Sequence, residues 1–335
     1  MSLEVETVRT LDEASFAELV GRHRGELQVH CYRMVGSFED AEDLVQETFL
    51  RAWRGRETFQ GRSSLRAWLY RIATNAGLDF LERHPRQPRP RAPQADGAGG
   101  SPDDLPWLQP YPDRLLDLAA PAEAEPDAAV VAKETIELAF MVAIQHLPPR
   151  QRAVVILRDV LGWPAADTAG LLELSVAAAN SALQRGRATL KEHLPPRRLE
   201  WGAADDPTRA ERALLQRYMA VLDHADIGPA MAELLHEDVR VTMPPHPYYY
   251  VGREPYIASL LPLLDPASPE YFGQWRSVAT RANRQPAIAH YVRRPGDTEF
   301  RPQVLDVLRV VDGRIAEITS FVPALFAAFG LPATV

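Results

Sequence analysis

Apolar positions recur every three or four residues through most of residues 11–84, which predicts a run of α-helices. In FAELVGRHRGELQVHCYRMVG the repeat falls on Phe16, Leu19, Val20, Leu27, Cys31 and Met34, up to a break at Gly36-Ser37. DAEDLVQETFLRAW, residues 40–53, then places Ala41, Leu44, Val45, Thr48 and Ala52 on one face and Glu42, Asp43, Gln46 and Glu47 on the other. A second break, between Gly55 and Ser64, precedes LRAWLYRIATNAGLDFLERH, whose repeat is Leu65, Trp68, Leu69, Ile72, Ala73 and Ala76.

The pattern lapses at residues 85–128, where proline and glycine accumulate and the charge turns from basic to acidic, as in a linker. Within it, LPWLQPYPDRLLD carries Trp107, Leu108, Tyr111 and Leu115, too apolar for a purely solvated tether. Docking on a neighbouring domain is expected, with Trp107 and Tyr111 as interdomain anchors and a loose linker as the alternative. Helical spacing resumes over about 129–194 with the proportions of a helix-turn-helix. Pro164 suits the first turn of one helix, and Ser175 suits the N-cap of the next. That second helix is expected to bury Val176, Ala179, Leu183 and Leu190 and to expose Asn180, Ser181, Gln184, Arg185, Arg187 and Lys191. After an acidic stretch come a helix over 209–225, a strand-like DVRVTMPP, a helix near 253–264 and alternating β-like runs. Asp312-Gly313 lies between two of those runs, as in a hairpin. The fold class is therefore multidomain: two all-α domains, a helical bundle (1–86) and a helix-turn-helix (129–198), joined by a linker (87–128) and followed by an α+β domain (205–335).

Composition narrows this reading. A chain of 335 residues accommodates two or three domains, and its single cysteine, Cys31, excludes a disulfide framework and reads as a small buried hydrophobe. The N-terminus is acidic and lacks the apolar core of a signal peptide, and no apolar run reaches membrane-spanning length, so a cytoplasmic protein without a membrane partner is expected. The net charge of −8 argues against unaided coating of nucleic acid but leaves room for local basic faces.

Such faces are present. Around the third helix, Arg62, Arg66, Arg71 and Arg83 offer phosphate partners, and Phe59, Trp68 and Tyr70 offer rings on which unpaired bases could stack. Asn75, with a donor and an acceptor on one amide, can read a base edge. On the helix-turn-helix, Asn180 and Gln184 project together one turn apart and suit bidentate contact with adenine in a major groove. Arg185, Arg187 and Lys191 would hold phosphates.

Taken together, these segments resemble the extracytoplasmic-function group of bacterial σ70-type sigma factors. The resemblance implies that Asp43, Gln46 and Glu47 contact core RNA polymerase, at the clamp helices of its largest subunit, with the flap as a further contact. It implies that Phe59, Arg62, Arg66, Arg71 and Asn75 capture an extruded −10 base, and that Asn180, Ser181, Gln184, Arg185, Arg187 and Lys191 read the −35 duplex of promoter DNA. It also implies a linker threaded through the polymerase cleft, with Asp103, Asp104, Asp113 and Asp117 mimicking nucleic acid. Two departures stand out: Glu173 replaces the usual turn glycine, and Asn180 and Ala182 stand where a basic residue is usual.

The last domain resembles SnoaL-like domains of the NTF2-like cone fold, with LLHEDVRVTMPPHPYYYVGREPYIASLL as helix, strand, loop, glycine and helix, and VLRVVDGRIAEITSF as the closing hairpin. The chain resembles the extended, SigG-like branch of that sigma-factor group. The implied function is promoter-directed initiation by a non-enzyme, with the SnoaL-like domain as an intramolecular partner controlling activity in cis. Neither a cofactor nor a metal is expected. An unidentified small ligand is a further partner, in a pocket drawn from Asp223, His246, Tyr248, Trp275 and His290, with His224, Asp238 and Tyr291 as further candidates. The alternatives are a polymerase-independent helix-turn-helix regulator and a SnoaL-type small-molecule enzyme fused to docking helices.

Overall fold

The computed structural model describes residues 3–61, 63–86, 88, 105–119, 135–194, 209–221 and 227–335. The chain divides into two compact units, 1–87 with 115–201 and 88–114 with 202–335.

The first unit is helical. It comprises α1 (Leu3–Thr10), α2 (Glu13–Gly21), α3 (Arg24–Val35), α4 (Phe38–Gly55) and α5 (Leu65–Arg83). Helix α6 (Asp113–Ala119) follows, then α7 (Leu138–Gln145), α8 (Pro149–Val155), α9 (Ala165–Leu171) and α10 (Val176–His193). The first apolar repeat is therefore split between α2 and α3 at Arg22-His23, ahead of the expected break. At that break Gly36 closes α3 with φ +74°, and Ser37 caps α4, its hydroxyl accepting from the Asp40 amide at 3.2 Å. A Cβ on Gly36 would lie 3.1 Å from the Gln145 side chain, so small size is needed there as well as left-handed freedom. Leu27, Cys31, Met34, Leu44, Val45, Leu69 and Ala73 form the buried faces, and burial pushes the Cys31 thiol up to about 12.

The N-terminal bundle and the α7–α10 hairpins pack together around Arg152, which is fully buried. Its guanidinium donates to the Met34 carbonyl and to Gln145 Oε1, and also to the carbonyls of Gln145 at 2.9 Å and Leu147 at 3.1 Å. Burial, followed by the charge of Arg86, lowers its pKa to about 9. Arg33 Nη2 donates to Thr135 Oγ1 at 3.0 Å, and the Trp163 ring lies 5.7 Å from that of Tyr70. This seam is held by directional bonds to carbonyls, which need an exact fit of both halves.

The second unit contains α11 (Arg209–Val221), α12 (Ile227–Leu234), β1 (Leu235–Met243), β2 (His246–Val251), α13 (Arg253–Leu264), β3 (Gln274–Ala282), β4 (Gln285–Arg293), β5 (Arg301–Val311) and β6 (Arg314–Phe321). The strand order is β2-β1-β6-β5-β4-β3, antiparallel except between β1 and β6. Residues 246–251, expected as loop, form the edge strand β2. Asp312-Gly313 makes the β5–β6 hairpin, with φ +50° and +73°. Ile288, Leu308, Ile318 and Val241 pack with Leu214, Tyr218, Met231, Leu234, Tyr256 and Ile257 of the three helices. Tyr291 points to the opposite sheet face, where its ring meets Phe326 at 5.3 Å and its hydroxyl donates to the Pro332 carbonyl.

Residues 105–114 belong to this unit. Leu105, Leu108 and Tyr111 are buried, and Pro112 bridges Ala282 at the end of β3. The β3–β4 turn, Asn283-Arg284, has φ +54° and +60° and acts as a clasp. Asn283 Oδ1 accepts from the Tyr111 amide at 2.7 Å, and the Asn283 amide donates to the Tyr111 carbonyl at 2.9 Å. Asp113 accepts from the Arg284 amide at 2.8 Å and from Arg281 Nε at 3.1 Å.

Candidate functional site

Helix α4 buries Ala41, Leu44, Val45, Thr48 and Ala52, as its spacing predicts. Asp43 and Gln46 are exposed on the opposite side, and Glu47 is half-buried. Glu47 holds Arg51 at 2.7 Å, and Arg51 also reaches Asp79 of α5 at 2.6 Å. Asp43, Glu47, Asp79 and Glu82 line one groove of about 590 Å³ between α4 and α5, together with Arg51 and Arg83. Asp79 and Glu82 escaped the sequence reading because the inter-helix register that brings them to α4 is not local. The result is an acidic groove, a shape suited to a cationic helix or ridge.

The segment before α5 departs from expectation. Phe59 is 2% exposed and packs on Trp68 at 5.2 Å, so it is a core residue and not a stacking platform. Its carbonyl accepts from Arg9 Nε at 3.0 Å. Tyr70 is also buried, its hydroxyl 3.2 Å from Glu26. Glu26 takes Arg66 as well, at 2.7 Å. Arg71, Asn75 and Arg83 are exposed on α5, and Trp68 is half-buried. Arg62 lies outside the described residues.

On the helix-turn-helix, Ser175 caps α10, its hydroxyl accepting from the Ala178 amide at 3.1 Å. Asn180, Ser181, Gln184, Arg185 and Lys191 are exposed and bond no other side chain among the described residues. Arg187 is exposed too, but both arms of its guanidinium hold Asp159, at 2.9 and 2.6 Å. Val176 is 44% exposed where burial was expected, and the inner face is made by Ala179, Ala182, Leu183, Gly186 and Leu190. Val176 sits in the first turn, before α10 meets its neighbours. Ala182 is an inward position and so is no site for a basic DNA contact. Gly186 is required by closeness, since a Cβ there would fall 2.6 Å from Val155. Glu173 occupies the turn with φ +55°, the left-handed conformation for which glycine is the easy choice.

The sheet domain holds a cavity of about 1430 Å³ between α11, α13 and the β3 edge. Trp275 and Ser277 line it, and His290 lies behind Ser277 as its cross-strand partner. Ser277 Oγ is 2.8 Å from His290 Nδ1, and His290 Nε2 is 3.3 Å from Asp306 Oδ2. Asp306 also accepts from Ser320 Oγ at 2.6 Å and from Tyr218 at 3.2 Å. Burial, reinforced by Tyr256 and Asp306, holds the Tyr218 phenol far above its ordinary pKa, so it remains a donor. His246 and Tyr248 do not belong to this site: β2 is the sheet edge opposite β3, and both side chains are exposed. Asp238 is exposed on β1, Tyr291 faces the other side of the sheet, and Asp223 and His224 lie outside the described residues. Ser277, Asp306 and Tyr218 were missed because only the strand register assembles them. No group of metal-binding side chains occurs among the described residues, and no described helix is long and apolar enough to cross a membrane.

Comparison with known proteins places these parts together. Residues 19–87 match the Sigma-70 region 2 family, residues 137–190 the Sigma-70 region 4 family and residues 215–318 the SnoaL-like domain family. The chain is 42% identical over 317 residues to the ECF RNA polymerase sigma factor SigG of Mycobacterium tuberculosis (strain ATCC 25618 / H37Rv), covering 92% of this chain and 82% of that one. This chain belongs to the ECF RNA polymerase sigma factors. It is also 32% identical over 230 residues to the sigma factor SigJ of the same organism, across 69% of this chain and 64% of SigJ. The crystal structure of SigJ superposes with a TM-score of 0.59 at 25% identity, covering 95% of this chain and 99% of that one.

In sigma-factor terms, α3–α5 lie in region 2 and α7–α10 in region 4, followed by a SnoaL-like domain. One expectation for the linker is corrected. Asp113 is buried and paired with Arg281 and the Arg284 amide, so it cannot stand in for nucleic acid while docked. Burial outweighs those partners and raises its pKa. Asp103 and Asp104, and the side chain of Asp117, lie outside the described residues.

Proposed function

We propose that this sigma factor docks on core RNA polymerase through the acidic α4–α5 groove, reads −35 duplex with the exposed face of α10 and captures a −10 base at Asn75. Asp43, Gln46 and Glu47 supply the first contact, extended by Asp79 and Glu82. Asn180 and Gln184 read base edges, Ser181 supports them, and Arg185 and Lys191 hold phosphates. Arg187 joins them when Asp159 releases it.

The SnoaL-like domain controls this activity in cis, and the observation that carries the proposal is the clasp on residues 105–114. That segment connects region 2 to region 4. While Asn283 and Asp113 hold it against the sheet domain, it cannot also run through a polymerase cleft. The region 2–region 4 seam around Arg152 is a second restraint, because two readers spaced along a promoter must separate to engage it together.

Run-off transcription with core polymerase tests both parts. Removal of residues 205–335, or Tyr111→Ala together with Asp113→Ala, should raise promoter-directed output at limiting sigma factor. Output and free-protein dimensions indifferent to both changes would refute control in cis. Repression of the same promoter without polymerase would favour the regulator reading instead.

A further inference from the structure

Arg187 differs from its neighbours on the outer face of α10. Asn180, Gln184, Arg187 and Lys191 follow one another at steps of four, three and four residues, so they form a single stripe along the helix. Among the described residues, Asn180, Gln184 and Lys191 bond no other side chain, whereas Arg187 gives two donors to one carboxylate. Its Nε reaches Asp159 Oδ2 at 2.9 Å and its Nη2 reaches Oδ1 at 2.6 Å. A guanidinium grips a carboxylate and a phosphate in this same two-pronged way.

The backbone explains why Asp159 stands there. Helix α8 runs on from Val155 into a π-helical turn, Ile156–Val160, closed by the Leu161 amide on the Ile156 carbonyl at 3.0 Å. Ile156, Leu157 and Val160 of that turn are buried, and Asp159 is left at its outer side. One residue before Arg187, Gly186 lets α10 close on α8, since a Cβ there would fall 2.6 Å from Val155. That close approach fixes the register in which Asp159 meets Arg187. Both side chains stay wet, 30% and 52% exposed, so the pair is a weak restraint that a phosphate can displace.

We infer that Asp159 stands in for a DNA phosphate on Arg187 and so holds α10 below its full affinity for duplex DNA. The inference rests on the proposal that α10 meets duplex DNA, and it adds how that meeting is regulated. With the carboxylate in place, the free chain offers the backbone Arg185 and Lys191, and Arg187 adds its contact only where a phosphate displaces Asp159. Asp159 is a positioning residue: it acts through Arg187 and reads no base. It withholds a contact that carries no sequence information and leaves Asn180 and Gln184 free to read.

The test measures affinity of the full chain for a −35 duplex selected from a random library, unmodified and with one uncharged methylphosphonate at each backbone position in turn. Asp159→Asn should bind the unmodified duplex about threefold to tenfold more tightly than wild type, with a log–log salt slope steeper by about 0.9, the mark of one added phosphate contact. It should also become sensitive to methylphosphonate at one further position. Arg187→Ala placed in the Asp159→Asn chain should remove that sensitivity. Asp159→Ala should repeat the result, and thermal unfolding checks that the variants keep their fold. An Asp159→Asn chain no tighter than wild type would overturn the assignment. So would a gain with no newly sensitive phosphate, as mere loss of a negative charge would give, or a wild type already sensitive at that phosphate. Absence of duplex binding by wild type and Asp159→Asn alike would sink the α10 reading together with this one.

Discussion

On α10, the side chains that meet duplex DNA in our proposal stand clear of the protein: Asn180, Ser181, Gln184, Arg185 and Lys191 are all exposed. On the promoter-melting side of region 2 the same kinds of residue are already engaged. Phe59 is buried against Trp68, Tyr70 lies beneath the surface, and Arg66 is held by Glu26. The −35 reader is thus available as folded, whereas on the −10 side Arg71, Asn75 and Arg83 are exposed but Arg66, though exposed, is tied to Glu26, so that side must trade internal bonds for DNA contacts. Reading an intact duplex needs a fixed face. Capturing a base from an opening duplex tolerates a surface that completes itself on contact.

Phe59 gives the largest contrast. As a core residue, Phe59→Ala should cost region 2 about 3–5 kcal/mol of stability, read by urea unfolding. A variant of unchanged stability that fails only in promoter melting would restore Phe59 as a stacking residue and erase the contrast. Next come the free side chains of α10. Asn180→Ala and Gln184→Ala should each lower affinity for −35 duplex by about 1–3 kcal/mol and relax the base preference, with no loss of stability. Uniform weakening across all sequences would mean that they touch only the backbone.

A smaller effect comes from beneath the −10 face. His30 bonds Thr74 at 2.9 Å, its ring is 5.0 Å from that of Tyr70, and burial, aided by Arg33, pushes its pKa down to about 3. The native imidazole stays neutral while the unfolded one takes up a proton near pH 6.5. Stability contributed here is intact above that pH and is lost as the pH falls from 6.5 toward 3. Between pH 7.5 and 5.5 the loss should be about 1.4 kcal/mol, and His30→Gln should flatten it. An unaltered pH slope in that variant would contradict the assignment. The smallest effect concerns Arg66. Glu26→Gln should free it and raise affinity for single-stranded DNA about twofold to threefold at low salt, a gain that fades as salt screens it. No gain would mean that Arg66 serves structure alone.

Local periodicity made α4, α5, α10 and the β5–β6 hairpin legible, because each buries a stripe or an alternating face set by its own residues. The acids of α4 and the polar face of α10 could be read for the same reason. Phe59 misled because a ring in an arginine-rich loop looks the same in sequence whether it faces DNA or the core. Tyr248 misled because an aromatic on an edge strand resembles one in a pocket until the strand order is known. Asp79 and Glu82, Ser277 and Asp306, and the Asn283 clasp depend on inter-helix and inter-strand register, which no single segment carries.

Association with core RNA polymerase, measured at modest salt for the wild-type chain and for the Asp43→Arg, Glu47→Arg double variant, tests the acidic groove most directly. Charge reversal at both positions should weaken binding at least a hundredfold and leave the affinity of α10 for duplex DNA untouched. Undiminished binding by the double variant would show that the polymerase is held elsewhere and would contradict the account.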